Sequence, residues 1–142
     1  MSALQVIDKI AVESLLDRVR AIRQQGCRLV QVSATRLAET IELTYSFEKD
    51  DALTSLRVEV PAADPRVPSI CEIYGCVLLY ENEIHDLFNV HVENMKVDFK
   101  GNLYKTSIPY AFGTAPPTTK KIEPGAKPPV GKTTCAVPTK TE

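Results

Sequence analysis

Long hydrophobic runs are missing from this chain: the longest apolar stretches are four or five residues. A helix that crosses a bilayer needs roughly 20, so the sequence offers no spanning segment. The opening, Met1 to Val6, has neither the basic start nor the apolar core of a signal peptide. Any membrane association is therefore expected to come through other subunits. Charge of one sign is lacking too. The formal net charge is −1, so no long-range field draws the chain to nucleic acid or to an anionic surface. The four cysteines, Cys27, Cys71, Cys76 and Cys135, form no Cys-x-x-Cys pair. An iron–sulfur cluster needs several thiolates at suitable spacing, and Cys71 and Cys76 are poorly spaced to share a ligand from one helix. All four are read as reduced thiols acting as small buried hydrophobes. His85 and His91 straddle an expected helix end without the two further ligands that zinc would want, and are read as surface histidines. There is no Gly-rich phosphate loop and no recognisable nucleophile motif.

What is present is an ordinary globular composition, 25% charged and 44% hydrophobic over 142 residues. Residues 113–142 differ in kind. They hold six of the ten prolines, seven threonines and five lysines, with no aromatic residue. Such a segment buries too little apolar surface to offset the entropy of ordering, so it is expected to be a disordered tail. Residues 1–112 are then the folded unit, large enough for one modest core.

Within that unit the periodicities predict an α+β domain. Val12, Leu15, Leu16, Val19 and Ile22 recur at helical spacing. Glu13 suits the positive end of that helix, Arg20 and Arg23 the negative end, and Gly26 a left-handed stop. Three antiparallel strands are expected next: Arg28 to Ala34, the alternating run Ile41 to Glu48, and Leu56 to Val60. Glu48 to Asp51 would connect the last two. One face of this three-stranded sheet is apolar, and the first helix would cover it. Pro61, Pro65 and Pro68 break the chain and leave no strand or helix interior. Ser69-Ile70-Cys71-Glu72 reads as a capping box that starts a second helical segment, bent at Gly75 and stopped at Asn89. Residues 90–110 read as extended, with a turn at Lys100-Gly101-Asn102.

The second helix carries Glu81, Glu83 and Asp86 between the apolar residues Tyr80, Ile84, Leu87 and Phe88. A general acid–base pair would need surroundings that push two pKa values apart, and no cleft is visible in the sequence. Interface or ion-pair duty fits better, with a solvated helix face as the bland alternative. The expected interface set is Glu81, Glu83, Asp86, Leu87 and Phe88. A buried carboxylate there requires an Arg or Lys on the neighbour, and Asp86→Ala is expected to weaken assembly more than it melts the isolated domain. Glu81 and His85, at i and i+4, would modestly favour charged His85. The aromatics of the second half, Tyr74 to Phe112, lack the basic groove that nucleic-acid stacking needs. They are assigned to the core or to a subunit contact.

The run Tyr80-Glu81-Asn82-Glu83-Ile84-His85-Asp86-Leu87-Phe88-Asn89-Val90 resembles the signature of the complex I 30-kilodalton subunit family. That signature reads roughly Tyr-Glu-Arg-Glu-x-x-Asp-Leu/Met-Phe/Tyr-Gly-Ile/Val. Glu81, Glu83, Asp86, Leu87 and Phe88 match in place; Asn82 stands for the Arg and Asn89 for the Gly. Asp64 to Ile70 is similar to the family's proline-broken lead-in, and the likeness extends over about residues 10–100. The His-Pro-Asp-Leu-Arg-Arg run that follows in complex I members is absent. The shorter ending, Met95 to Tyr104, is closer to the equivalent small subunit of Ech-type energy-converting membrane-bound nickel–iron hydrogenases.

The resemblance implies a non-catalytic subunit with no cofactor of its own. It would dock on the hydrogenase large subunit beside iron–sulfur subunits, peripheral on the cytoplasmic side of the cell membrane. The nickel–iron centre and clusters would lie in those partners, and the complex would couple ferredoxin-linked hydrogen metabolism to ion translocation. A subunit of a complex I-like quinone oxidoreductase and a free-standing protein-binding module are the alternatives.

Overall fold

The computed structural model describes residues 5–113. Four strands form the main sheet in the order β1-β4-β3-β2: β1 (Gln5–Ile10), β2 (Arg28–Arg36), β3 (Thr40–Lys49) and β4 (Ala52–Pro61). The three antiparallel strands expected from the sequence are there, longer than their alternating cores. A fourth, β1, joins them parallel to β4, Gln5 opposite Leu53 through Ile10 opposite Val58. It was not foreseen because Val6 and Ile7 are both exposed, so the strand lacks the buried alternation that marks its neighbours.

Along β3, Ile41, Leu43, Tyr45 and Phe47 are buried while the residues between them are only half-covered. Leu56, Val58 and Val60 of β4 lie opposite and share that inner face. The β3–β4 connection is tighter than expected. Lys49 pairs with Ala52, leaving Asp50 and Asp51 as a two-residue loop at φ 50° and 63°, the left-handed pair that matches strand twist in a tight hairpin.

Helix α1 (Leu15–Gln24) follows a 3-10 turn at Val12–Ser14. Its stripe Leu15, Val19 and Ile22 is buried in the core, and Gly26 provides the stop at φ +83°. Helix α2 (Leu78–Phe88) begins later than the sequence suggested, after a 3-10 turn at Gly75–Val77. The capping box is not formed: Glu72 is exposed and pairs with Lys96 at 3.1 Å, while Ser69 turns inward. Asn89 does end α2, at φ 58°, with its amide donating to the His85 carbonyl at 3.0 Å.

The proline-rich lead-in does hold a strand. β5 (Arg66–Pro68) pairs in parallel with β6 (His91–Glu93), and Val67 and Val92, opposite each other, are both buried. Proline is tolerated because three residues make a short edge strand with few amides to satisfy. The unit β5–α2–β6 thus clips both ends of α2 together. Residues 94–113, beyond β6, are turns and bends rather than extended strand.

Candidate functional site: the face of helix α2

Residues 81, 82 and 86 of α2 are all buried polar groups, 3%, 0% and 6% exposed. A buried polar side chain needs its hydrogen bonds made, and here the chain makes them itself. Glu81 accepts from the Ser69 hydroxyl at 2.7 Å and from the Ile70 amide at 2.8 Å. It thereby pins the turn after β5. Burial pushes the Glu81 carboxyl above its ordinary range, and the two hydrogen bonds only partly offset this. Asn82 donates to the Leu78 and Val97 carbonyls at 2.7 and 2.9 Å and accepts from the Phe99 amide at 2.9 Å. Asp86, one turn on, accepts from the Leu103 and Tyr104 amides at 2.9 and 3.1 Å, and its other oxygen lies 3.2 Å from His85 Nδ1. Asn82 and Asp86 together fasten the loop 97–104 along the helix.

The expected interface residues therefore occupy different places. Glu81 and Asp86 are satisfied inside their own chain by hydroxyl and backbone amide donors. Glu83 is half-exposed and accepts from the Tyr104 hydroxyl at 3.2 Å. The Glu83 carboxylate in turn holds the Tyr104 phenol above its ordinary range. Leu87 and Phe88 are half-buried, with the Leu87 carbonyl accepting from the Phe112 amide at 2.9 Å and the Phe88 and Phe112 rings 5.8 Å apart. Glu81 does not face His85. The histidine packs on Asp86 and edge-on to Tyr110, 6.2 Å between centroids. Of the cysteines, Cys27 and Cys71 are buried as expected, but Cys76 is exposed; Cys135 and the expected tail lie outside the described residues.

Sequence reasoning missed Asn82, which replaces a charged residue of the signature yet is fully buried. The available signal was its i, i+4 relation to Asp86, which puts two polar side chains on one face above a loop with free amides. Also missed was the gathering of exposed apolar side chains. Among the described residues ten large hydrophobics are exposed. Seven of them, Leu79, Val97, Phe99, Tyr104, Ile108, Tyr110 and Phe112, lie on α2 or on the segment that runs along it. Among the described residues no cluster of three or more His, Cys, Asp or Glu side chains is placed to hold a metal ion. No described helix is long and apolar enough to cross a membrane.

The family model described as "Respiratory-chain NADH dehydrogenase, 30 Kd subunit" matches residues 7–123. The chain belongs to that family. The match contains α2 and the whole clamp, and it runs past Phe112 into the Pro/Thr/Lys-rich segment. Two solved structures share the fold of this 30 Kd-type subunit. A chain of the membrane-bound sulfane sulfur reductase, an archaeal respiratory membrane complex, superposes with a TM-score of 0.67 at 18% identity, over 75% of this chain and 66% of that one. This chain thus spans just under two thirds of that relative. The trypsin-resistant fragment (1–134) of Nqo5 superposes with a TM-score of 0.57 at 20% identity, over 63% of this chain and 80% of the fragment. No curated protein matches the sequence.

Proposed function

We propose that this chain is a non-catalytic subunit of the hydrophilic arm of a membrane-bound, energy-converting nickel–iron hydrogenase, seated on the catalytic large subunit by the face of α2. The observation that carries the docking role is the collection of seven exposed apolar side chains on α2 and the segment running along it. Exposed apolar side chains gathered on one helix and its neighbouring segment are costly in water and suit a contact with another protein. The buried polar clamp beneath it holds that surface in one shape before the partner arrives, which lowers the ordering cost of association. Family membership supports a place in a respiratory-type complex. The missing basic run after the signature supports the hydrogenase branch, and the fold shared with a chain of an archaeal respiratory membrane complex is compatible with a place outside complex I. The nickel–iron centre and the iron–sulfur clusters belong to the partner subunits in this reading, and attachment to the membrane is through them.

A complex I-like quinone oxidoreductase is the second reading, favoured by the family's description and by the likeness to Nqo5. Purification of the native complex on a tagged copy of this chain, with mass-spectrometric identification of its subunits, separates the two. Recovery of a nickel-binding large subunit is the expected result. Flavin and quinone-site subunits in its place would support the second reading, and a chain recovered alone would overturn both.

A further inference from the structure

A groove of about 490 Å³ opens between the start of β2 and the first half of α2. Its walls are apolar, formed by Leu29, Val30, Cys76, Leu79 and Tyr104, and Glu83 is the one charged residue lining it. The groove is built rather than incidental. The β2–β3 register slips between Leu29 and Gln31, and the Tyr80 hydroxyl donates to the carbonyl of the intervening Val30 at 3.2 Å. The Tyr104 side is held by the Asp86 carboxylate through the backbone. Leu79, 56% exposed, stands at the mouth.

Glu83 is the unusual member. The other half-covered acids among the described residues each meet a cation: Asp8 with Arg18, Glu42 with Arg57 and Glu48 with Arg28. Among the described residues Glu83 meets only the Tyr104 hydroxyl. A half-covered carboxylate in an apolar groove is a site waiting for a positive charge, and the pairing gains strength as the groove closes and water leaves.

We propose that the groove is the anchor site for one segment of the docked large subunit, which lays an aliphatic side chain against Leu79 and Val30 and a Lys or Arg against Glu83. This rests on the docking role argued above and names the contact chemistry within it. Two of the exposed apolar side chains, Leu79 and Tyr104, line the groove itself, so an occupant there covers both. An apolar pocket ringed by such contacts is where binding energy concentrates in protein interfaces.

The test uses the intact complex with Leu79 replaced by the photoreactive residue p-benzoylphenylalanine. After irradiation, the adduct is expected on a large-subunit peptide carrying a Lys or Arg beside an aliphatic residue. Glu83→Gln is expected to weaken association with the large subunit about tenfold, and Glu83→Lys more, through lost and reversed charge complementarity. Circular dichroism of both variant chains should match the wild type, since Glu83 supports no described backbone group. An adduct on residues 114–142 of the same chain or on a second copy would overturn the assigned occupant. So would no adduct in a complex shown to be whole, or unchanged association of Glu83→Lys. Subunit composition is read separately. A Lys- or Arg-bearing adduct in a complex without a nickel-binding subunit would uphold the groove chemistry while overturning the hydrogenase assignment.

Discussion

Glu81 shows how a conspicuous acid can serve the fold rather than a partner. Its two oxygens hold the Ser69 hydroxyl and the Ile70 amide, so Glu81→Ala strands both donors in the core. Each unsatisfied group costs about 1–3 kcal/mol, and denaturant titration of the isolated chain should show a loss of at least about 2 kcal/mol. Glu81→Gln keeps an acceptor for Ile70 and should cost far less. The two variants also separate by pH. The folded Glu81 carboxyl is raised by burial, so across the window between the ordinary and the raised value the folded state binds more protons than the unfolded one. Its contribution to stability is fullest below the ordinary carboxylate range and is lost as pH rises through the folded pKa. That decline should be present in the wild type and reduced in Glu81→Gln. Asp86 differs because its acceptors serve the loop amides of Leu103 and Tyr104. Asp86→Ala should raise hydrogen exchange at those two amides and, by loosening Tyr104, weaken assembly. The acids were conspicuous in the sequence. What it could not show was which backbone amides would come to meet them, because those donors lie in turns eleven to eighteen residues away.

At the level of elements, the stops were easier to read than the starts. Gly26 and Asn89 both take left-handed backbone at φ +83° and 58°, and each was legible because few residue types tolerate that conformation. Asn89→Gly should leave stability nearly unchanged. Asn89→Ala should lower it by about 1–2 kcal/mol, the cost of left-handed backbone for a residue with a Cβ and no local hydrogen bond to offset it. Thermal unfolding of the pair checks this. The start of α2 was misread because a Ser-x-x-Glu spacing is a local signal, and Ser69 found a buried partner in Glu81 instead of Glu72. β1 escaped notice for a related reason. A parallel edge strand is specified by its pairing with β4, and its own pattern carries little of that information.

At the scale of the whole molecule, the sheet, α1 and the inner side of α2 with Val67 and Val92 form the core, while the outer side of α2 and residues 94–113 form a presented face. Val6, Ile7 and Leu37 are the other exposed large hydrophobics among the described residues; Val6 and Ile7 lie on β1, at the sheet edge opposite β2, and Leu37 on the β2–β3 turn. The α+β class was readable because periodicity reports what faces the core. The docking face was not, because exposed apolar residues in turns have no period. The face predicts its own mutational signature: polar substitutions there should spare folding, since the side chains already face water, and should impair assembly. The most direct measurement is therefore recovery of partner subunits on two tagged double variants, Leu79→Lys with Tyr104→Lys and Val6→Lys with Ile7→Lys, each shown to be folded. The first should lose the partners and the second should retain them as the wild type does. Retention by the first variant, or equal loss by both, would contradict the assignment of α2 as the docking face.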